Sequence, residues 1–281
     1  MLNLHYLFHH DYYNNPTESN EALTKRQFEP GSREIPFTEQ SKIKGQSFVL
    51  KTQYPGLLLG LGYPHDDGKS NNDAVKLGFS LDYVSGLPVI PGSTVKGVLR
   101  SLFRRKEAHE CIKSLGNLSS VDDVMKLEKE LFTEDSKDVY FDAYPITEKK
   151  SLLAFESITP HHEKNLKDPN PIRLLKVPPE VEFLFRFQLH DGGQLKADEK
   201  LDLFKELLKL TGIGAKTNVG FGGLAEGTPQ DKYIMLEMCG GGAKRAAPAQ
   251  GICGACGKPT KQNKAGIYYE LCFDCNQRKG N

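Results

Sequence analysis

The most regular run in the chain is Val181 to His190, where Val181, Phe183, Phe185, Phe187 and Leu189 alternate with more polar positions. A period of two puts all five on one face of a pleated strand, a surface that suits aromatic and β-branched side chains. From Asp198 to Leu210 the spacing becomes helical, with Leu201, Phe204, Leu207 and Leu208 on one side. A second helix is expected within Leu87–Arg105. There Pro91-Gly92 turns the chain, Ser93 is the expected N-cap, and Val95, Val98, Leu99, Leu102 and Phe103 share a face. Val121–Leu131 is a third, with Ser119 and Ser120 as candidate caps.

Shorter apolar runs read as strands beginning at Ser47–Leu50 and at Phe79–Tyr83, Val139–Ala143, Leu152–Ser157 and Tyr233–Met238, the last closing the sheet. The resulting order of strand, helix, strand, strand, helix, strand is that of an α+β, ferredoxin-like domain with insertions. Residues 1–44 are mixed in pattern and are expected to form a partly ordered N-terminal arm. Thr159–Pro179 contains five prolines and no sustained period, so it reads as a long connection. The expected organisation is an arm at 1–44, the ferredoxin-like domain at 45–239, a linker at 240–251 and a small module at 252–281.

Composition narrows the function classes. A formal net charge of +1 provides no overall basic field, so any nucleic-acid surface must come from local clusters of Lys and Arg. No apolar run approaches the length needed to span a bilayer, and MLNLHYLFHHDYYNN has no basic leader, so a cytoplasmic protein with no membrane partner is expected.

Two stretches point to specific chemistry. In Thr211–Leu224, TGIGAKTNVGFGGL, five glycines surround Lys216. Positions without a Cβ let a polyanion approach backbone N–H groups while the lysine supplies a point charge. The alternative is a helix-to-strand turn that is rich in glycine for steric reasons alone. Neither a Walker loop nor a dinucleotide fingerprint fits. Ala215 precedes the lysine, the helix lies upstream, and Thr217 stands where the third fingerprint glycine belongs. In Leu87–Arg105 the start of the helix at Ser93 and Thr94 offers N–H groups to a phosphate, and Lys96, Arg100 and Arg104 form a basic stripe. That stripe is equally the solvated face of an amphipathic helix.

At the C-terminal end, Cys253 and Cys256 are separated by fifteen residues from Cys272 and Cys275. Two CxxC knuckles at that spacing suit a closed tetrahedral thiolate site, so a structural zinc in a zinc-ribbon-like module is expected. Such a site contributes about 10–16 kcal/mol to folding.

IPGSTVKGVLR, FDAYP at Phe141–Pro145, ITPHH at Ile158–His162 and GIGAKTNVGFG occur together in this order. That set resembles the RAMP superfamily of CRISPR-associated proteins, and within it the sixth-subunit family of the Cmr (type III-B) effector complex. The resemblance covers about residues 45–226. It implies ferredoxin-like RNA-recognition architecture and a non-catalytic, RNA-binding role in an antiviral ribonucleoprotein, near the 3′ part of the guide RNA. Its implied partners are guide and target RNA and the other Cmr subunits. By the same resemblance, Ser93, Thr94, Lys96, Arg100, Gly212, Gly214, Lys216, Thr217, Asn218, Gly220 and Gly222 hold RNA. The four-cysteine module and the N-terminal arm depart from the family pattern.

The rival reading is a metal-dependent endoribonuclease that cuts target RNA. Asp66, Asp67 and Asp73 lie in a loop matching the position where some superfamily members carry a cutting aspartate, and adjacent carboxylates can hold a divalent cation. DDG is also ordinary turn chemistry. His161 and His162 are an unsuitable acid–base pair if extended, because neighbouring side chains then point to opposite faces.

Overall fold

A computed structural model describes residues 3–25, 45–60, 75, 77–146, 151–159, 171–227, 251–252 and 259–260. In chain order the elements are α1 (Leu4–His9), α2 (Pro16–Lys25), β1 (Gln46–Thr52), α3 (Gly92–Phe103), α4 (His109–Leu115) and α5 (Val121–Phe132). There follow β2 (Val139–Tyr140), β3 (Tyr144–Pro145), β4 (Ala154–Ile158), β5 (Ile172–Lys176), β6 (Glu182–Gln188), α6 (Ala197–Thr211) and β7 (Leu224–Glu226). The chain divides into a unit of residues 1–235 and a second of 236–281. In the second, β8 (Gly251–Ile252) pairs antiparallel with β9 (Pro259–Thr260).

The main sheet runs β2-β6-β1-β7, with β3 also on β6, and every pairing is antiparallel. Taking β2 and β3 together as the second strand, this is the split βαβ arrangement of a ferredoxin-like α+β fold. The alternating run behaves as its period requires. Phe183, Phe185 and Phe187 are buried in the main core with Phe48 and Leu50 of β1. On the other face Val49 and Leu184 pack with Val89 and Tyr144. Phe48 stands opposite Phe185 in register with ring centroids 5.4 Å apart. Phe204 of α6 closes on Phe187 at 5.6 Å, so the helix is held by aromatic contacts, each buried ring contributing about 1.5–3 kcal/mol. Lys200 interrupts that apolar face, and its ammonium is met at 2.8 Å by the buried carboxylate of Asp138 beside β2.

Several expectations are corrected. Residues 3–25 are no arm. Asn3 caps α1 by accepting the N–H groups of His5 and Tyr6, and its amide donates to the carbonyls of Tyr83 and Val84. Leu4, Leu7, Phe8, Tyr12 and Leu23 enter the main core. Phe79–Tyr83 is no strand beyond one bridge between Leu81 and Pro88. The Asp82 carboxylate accepts the Ser85 N–H and hydroxyl at 2.6 Å, and the chain turns there instead of extending. Of Val139–Ala143 only Val139–Tyr140 is strand, as β2, and pairing resumes beyond it in β3. The connection expected at Thr159–Pro179 contains β5, which forms a five-residue ladder with β4. The fourth position in the sheet is filled by β7 at Leu224–Glu226, while Tyr233–Met238 lies outside the described residues. Finally, α3 starts two residues earlier than expected, with Pro91 at the cap position and Ser93 inside the helix.

Candidate nucleic-acid interface

At the end of α6, Gly212 turns the chain at φ +69° and sends it into the glycine-rich loop. The inner part of that loop is packed against the segment following β1. Ala215 N–H donates to the Leu58 carbonyl at 3.0 Å, Gly222 N–H to Gly56 at 2.8 Å, and Gln53 N–H to Gly223 at 2.9 Å. Leu58, Leu174 and Phe221 form its apolar floor, with Ala215 and Ile158 against them, so the β4–β5 hairpin supports the loop. A Cβ at Gly212 or Gly222 would enter the facing strand of the loop, at the Gly222 and Ile213 carbonyls, and one at Gly214 would enter the Leu58 carbonyl. Three of the five glycines are therefore required by close backbone approach, as the steric alternative holds.

The tip is different. Lys216 is in the left-handed region at φ +57°, ψ +36°, Thr217–Val219 makes one 3-10 turn, and Gly220 is again left-handed at φ +95°. A left-handed residue leading into a right-handed turn gathers successive N–H groups into an anion-binding concavity. Among the described residues the N–H groups of Lys216, Thr217 and Asn218 donate to no acceptor. All five residues from Lys216 to Gly220 are exposed, and the Lys216 ammonium makes no ion pair among the described residues. A lysine in this conformation costs about 1–2 kcal/mol relative to glycine, strain of the kind that gathers at ligand sites.

At the start of α3 most donors are taken up, and among the described residues only the Ser93 N–H of its first turn lacks an acceptor. Gly92 N–H donates to the Asp142 carboxylate at 2.7 Å, and the N–H groups of Thr94 and Val95 turn back to the Pro91 carbonyl. Farther along, Arg100 Nε pairs with Glu128 of α5 at 2.9 Å and Arg104 reaches the same oxygen at 3.7 Å. Lys96 lies over the Tyr140 ring, 5.6 Å from its centroid. Burial, and then the nearby Asp138 charge, push the Tyr140 hydroxyl well above the usual tyrosine range, so the lysine faces a neutral ring. Ser93 is exposed and Thr94 half-buried. The two predicted phosphate sites are not brought together. Gly92 abuts Tyr140 and Phe141 by the β2 edge, whereas the loop leads into β7 at the other edge.

Asp66, Asp67, Asp73, His161, His162 and the cysteines at 253, 256, 272 and 275 lie outside the described residues. Among the described residues no three His, Cys, Asp or Glu side chains gather as metal ligands, and no helix is long and apolar enough to cross a membrane. Sequence reasoning reads Tyr54–His65 as loop or irregular edge but gives the turn at Tyr54–Gly56 no functional role. Its Pro55 carbonyl receives the buried Lys176 ammonium at 2.8 Å, while Tyr54 stands 85% exposed beside the loop. The only signal was the Pro-Gly punctuation directly after the first strand.

A sequence profile described as the RAMP superfamily matches residues 49–225. The chain belongs to the RAMP superfamily. The match runs from β1 to β7, so α3 and the glycine loop of this RAMP protein fall inside it, and α1, α2 and the four cysteines fall outside. The chain is similar to CRISPR system CMR subunit Cmr6 of Saccharolobus solfataricus, 28% identical over 151 residues that cover 51% of this chain and 46% of the relative. It is 36% identical over 106 residues to CRISPR system Cmr subunit Cmr6 of Pyrococcus furiosus, covering 31% of this chain and 30% of the relative. The matched part thus spans less than half the length of these curated relatives. Among solved structures, a chain of a type III-B Cmr-beta complex bound to cognate target RNA superposes with a TM-score of 0.56 at 20% identity. That superposition covers 75% of this RAMP protein and 71% of that chain, which makes it a likeness of fold.

Proposed function

We propose that this RAMP protein is a non-catalytic RNA-binding subunit of a type III-B CRISPR effector, holding the 3′ part of the guide through its sugar–phosphate backbone. The observation that supports this reading is the Lys216 turn, where three N–H groups without a described acceptor stand next to an unpaired ammonium. No Asp or Glu occurs in 53–60 or in 211–225, so the turn and the segment packed against it contribute no opposing charge. Contacts to phosphates carry no sequence information, so one such turn serves any guide and leaves its bases free to pair with target RNA. The similarity to Cmr6 proteins supports the choice of complex.

Crosslinking of the RNA-loaded effector particle, read by mass spectrometry, tests the proposal. RNA adducts are expected within Lys216–Gly220. Adducts confined to other subunits, with none on this chain, reject it.

A further inference from the structure

We infer that Tyr54 is a stacking platform for a base of the RNA strand whose phosphate lies on the Lys216 turn. This rests on the proposed phosphate role of that turn. Tyr54 sits in the segment bonded to the loop on both sides of its tip, through Gln53 to Gly223 and Gly56 to Gly222 after it and through Leu58 to Ala215 before it. Gly220, at the tip, faces the neighbouring Pro55 ring. A Cβ built on it would lie 3.8 Å from Pro55 Cδ, so the tip and the Tyr54 turn adjoin. The turn is rigidly placed, because Lys176 donates to the Pro55 carbonyl at 2.8 Å and is itself paired with Glu156.

With 85% of its surface exposed, the Tyr54 ring is left bare by the fold, and its hydroxyl makes no hydrogen bond among the described residues. A lone exposed tyrosine is ordinary. One that adjoins an acceptor-free N–H cluster and a free ammonium meets two demands at once, an anion and a flat apolar surface. A nucleotide carries both within a single residue. Base stacking is also indifferent to which base is present, since every base has a π face, so it suits a strand of any sequence.

The test compares the full-length wild-type chain with Tyr54→Ala, Tyr54→Phe and Lys216→Ala for binding to oligouridylate and oligoadenylate across a salt series. Tyr54→Ala should weaken both by about 5- to 150-fold with an unchanged salt slope, and Tyr54→Phe should stay within about twofold of wild type. An abasic ribose–phosphate strand should bind wild type and Tyr54→Ala equally. Wild-type affinity in Tyr54→Ala alongside weakened, shallower-sloped binding in Lys216→Ala overturns the stacking role and leaves the phosphate role standing. If Lys216→Ala changes nothing, the phosphate role falls as well. If Tyr54→Ala binds RNA normally but no longer joins the other effector subunits, the ring meets a protein and the inference is overturned.

Discussion

At the start of α3 the Asp142 carboxylate receives the Gly92 N–H at 2.7 Å, and Glu128 takes up Arg100 and Arg104. At the Lys216 turn, three consecutive N–H groups and the ammonium have no such counterpart among the described residues. Both stretches look alike in sequence, each with backbone donors, small residues and lysine or arginine. They differ in what the fold brings alongside. The α3 start meets an acidic residue from the break between β2 and β3, whereas the loop meets an acid-free segment after β1. A backbone anion site therefore depends as much on which carboxylates are kept away as on which donors are present.

The comparison breaks most visibly in the inner loop. Gly222→Ala places a Cβ into the Ile213 carbonyl at a residue with φ +77°, and a loss of about 2–4 kcal/mol is expected in urea unfolding. A change below about 0.5 kcal/mol contradicts the packed description of that half. A smaller effect is expected at the other region. Asp142→Ala removes the carboxylate from the first turn of α3 and should cost about 1 kcal/mol in the same measurement. RNA affinity should stay at the wild-type value, because Gly92, Thr94 and Val95 already have internal acceptors and Glu128 holds Arg100 and Arg104. A rise in affinity on losing that negative charge would restore the α3 start as an RNA contact.

The parts of the fold legible in sequence were those with long, uninterrupted periods. β6 and α6 could be read from Val181–His190 and Asp198–Leu210, and Ser120 does cap α5, through a reciprocal pair with Asp123. Short elements escaped. α1 has six residues, too few for Leu4, Leu7 and Phe8 to establish a helical period, and its capping amide is fixed by Tyr83 and Val84 eighty residues on. β5 was hidden among prolines and became visible only through its ladder with β4. The same limit explains the α3 start. Ser93 is a good cap by local rules, but Asp142, fifty positions beyond Gly92, accepts the first helical N–H and the helix begins there. In the loop, spacing identified the stretch but not the division of labour. Gly212, Gly214 and Gly222 answer to backbone crowding, and Lys216, Thr217 and Asn218 are left with open donors.

The most direct measurement of the central claim is the salt dependence of RNA affinity for wild type and Lys216→Ala on two unrelated single-stranded sequences. The account predicts weaker binding by a similar factor on both, with a log–log slope shallower by about 0.7, as loss of one single-strand phosphate contact requires. Unchanged affinity and slope, or a loss confined to one sequence, would contradict it.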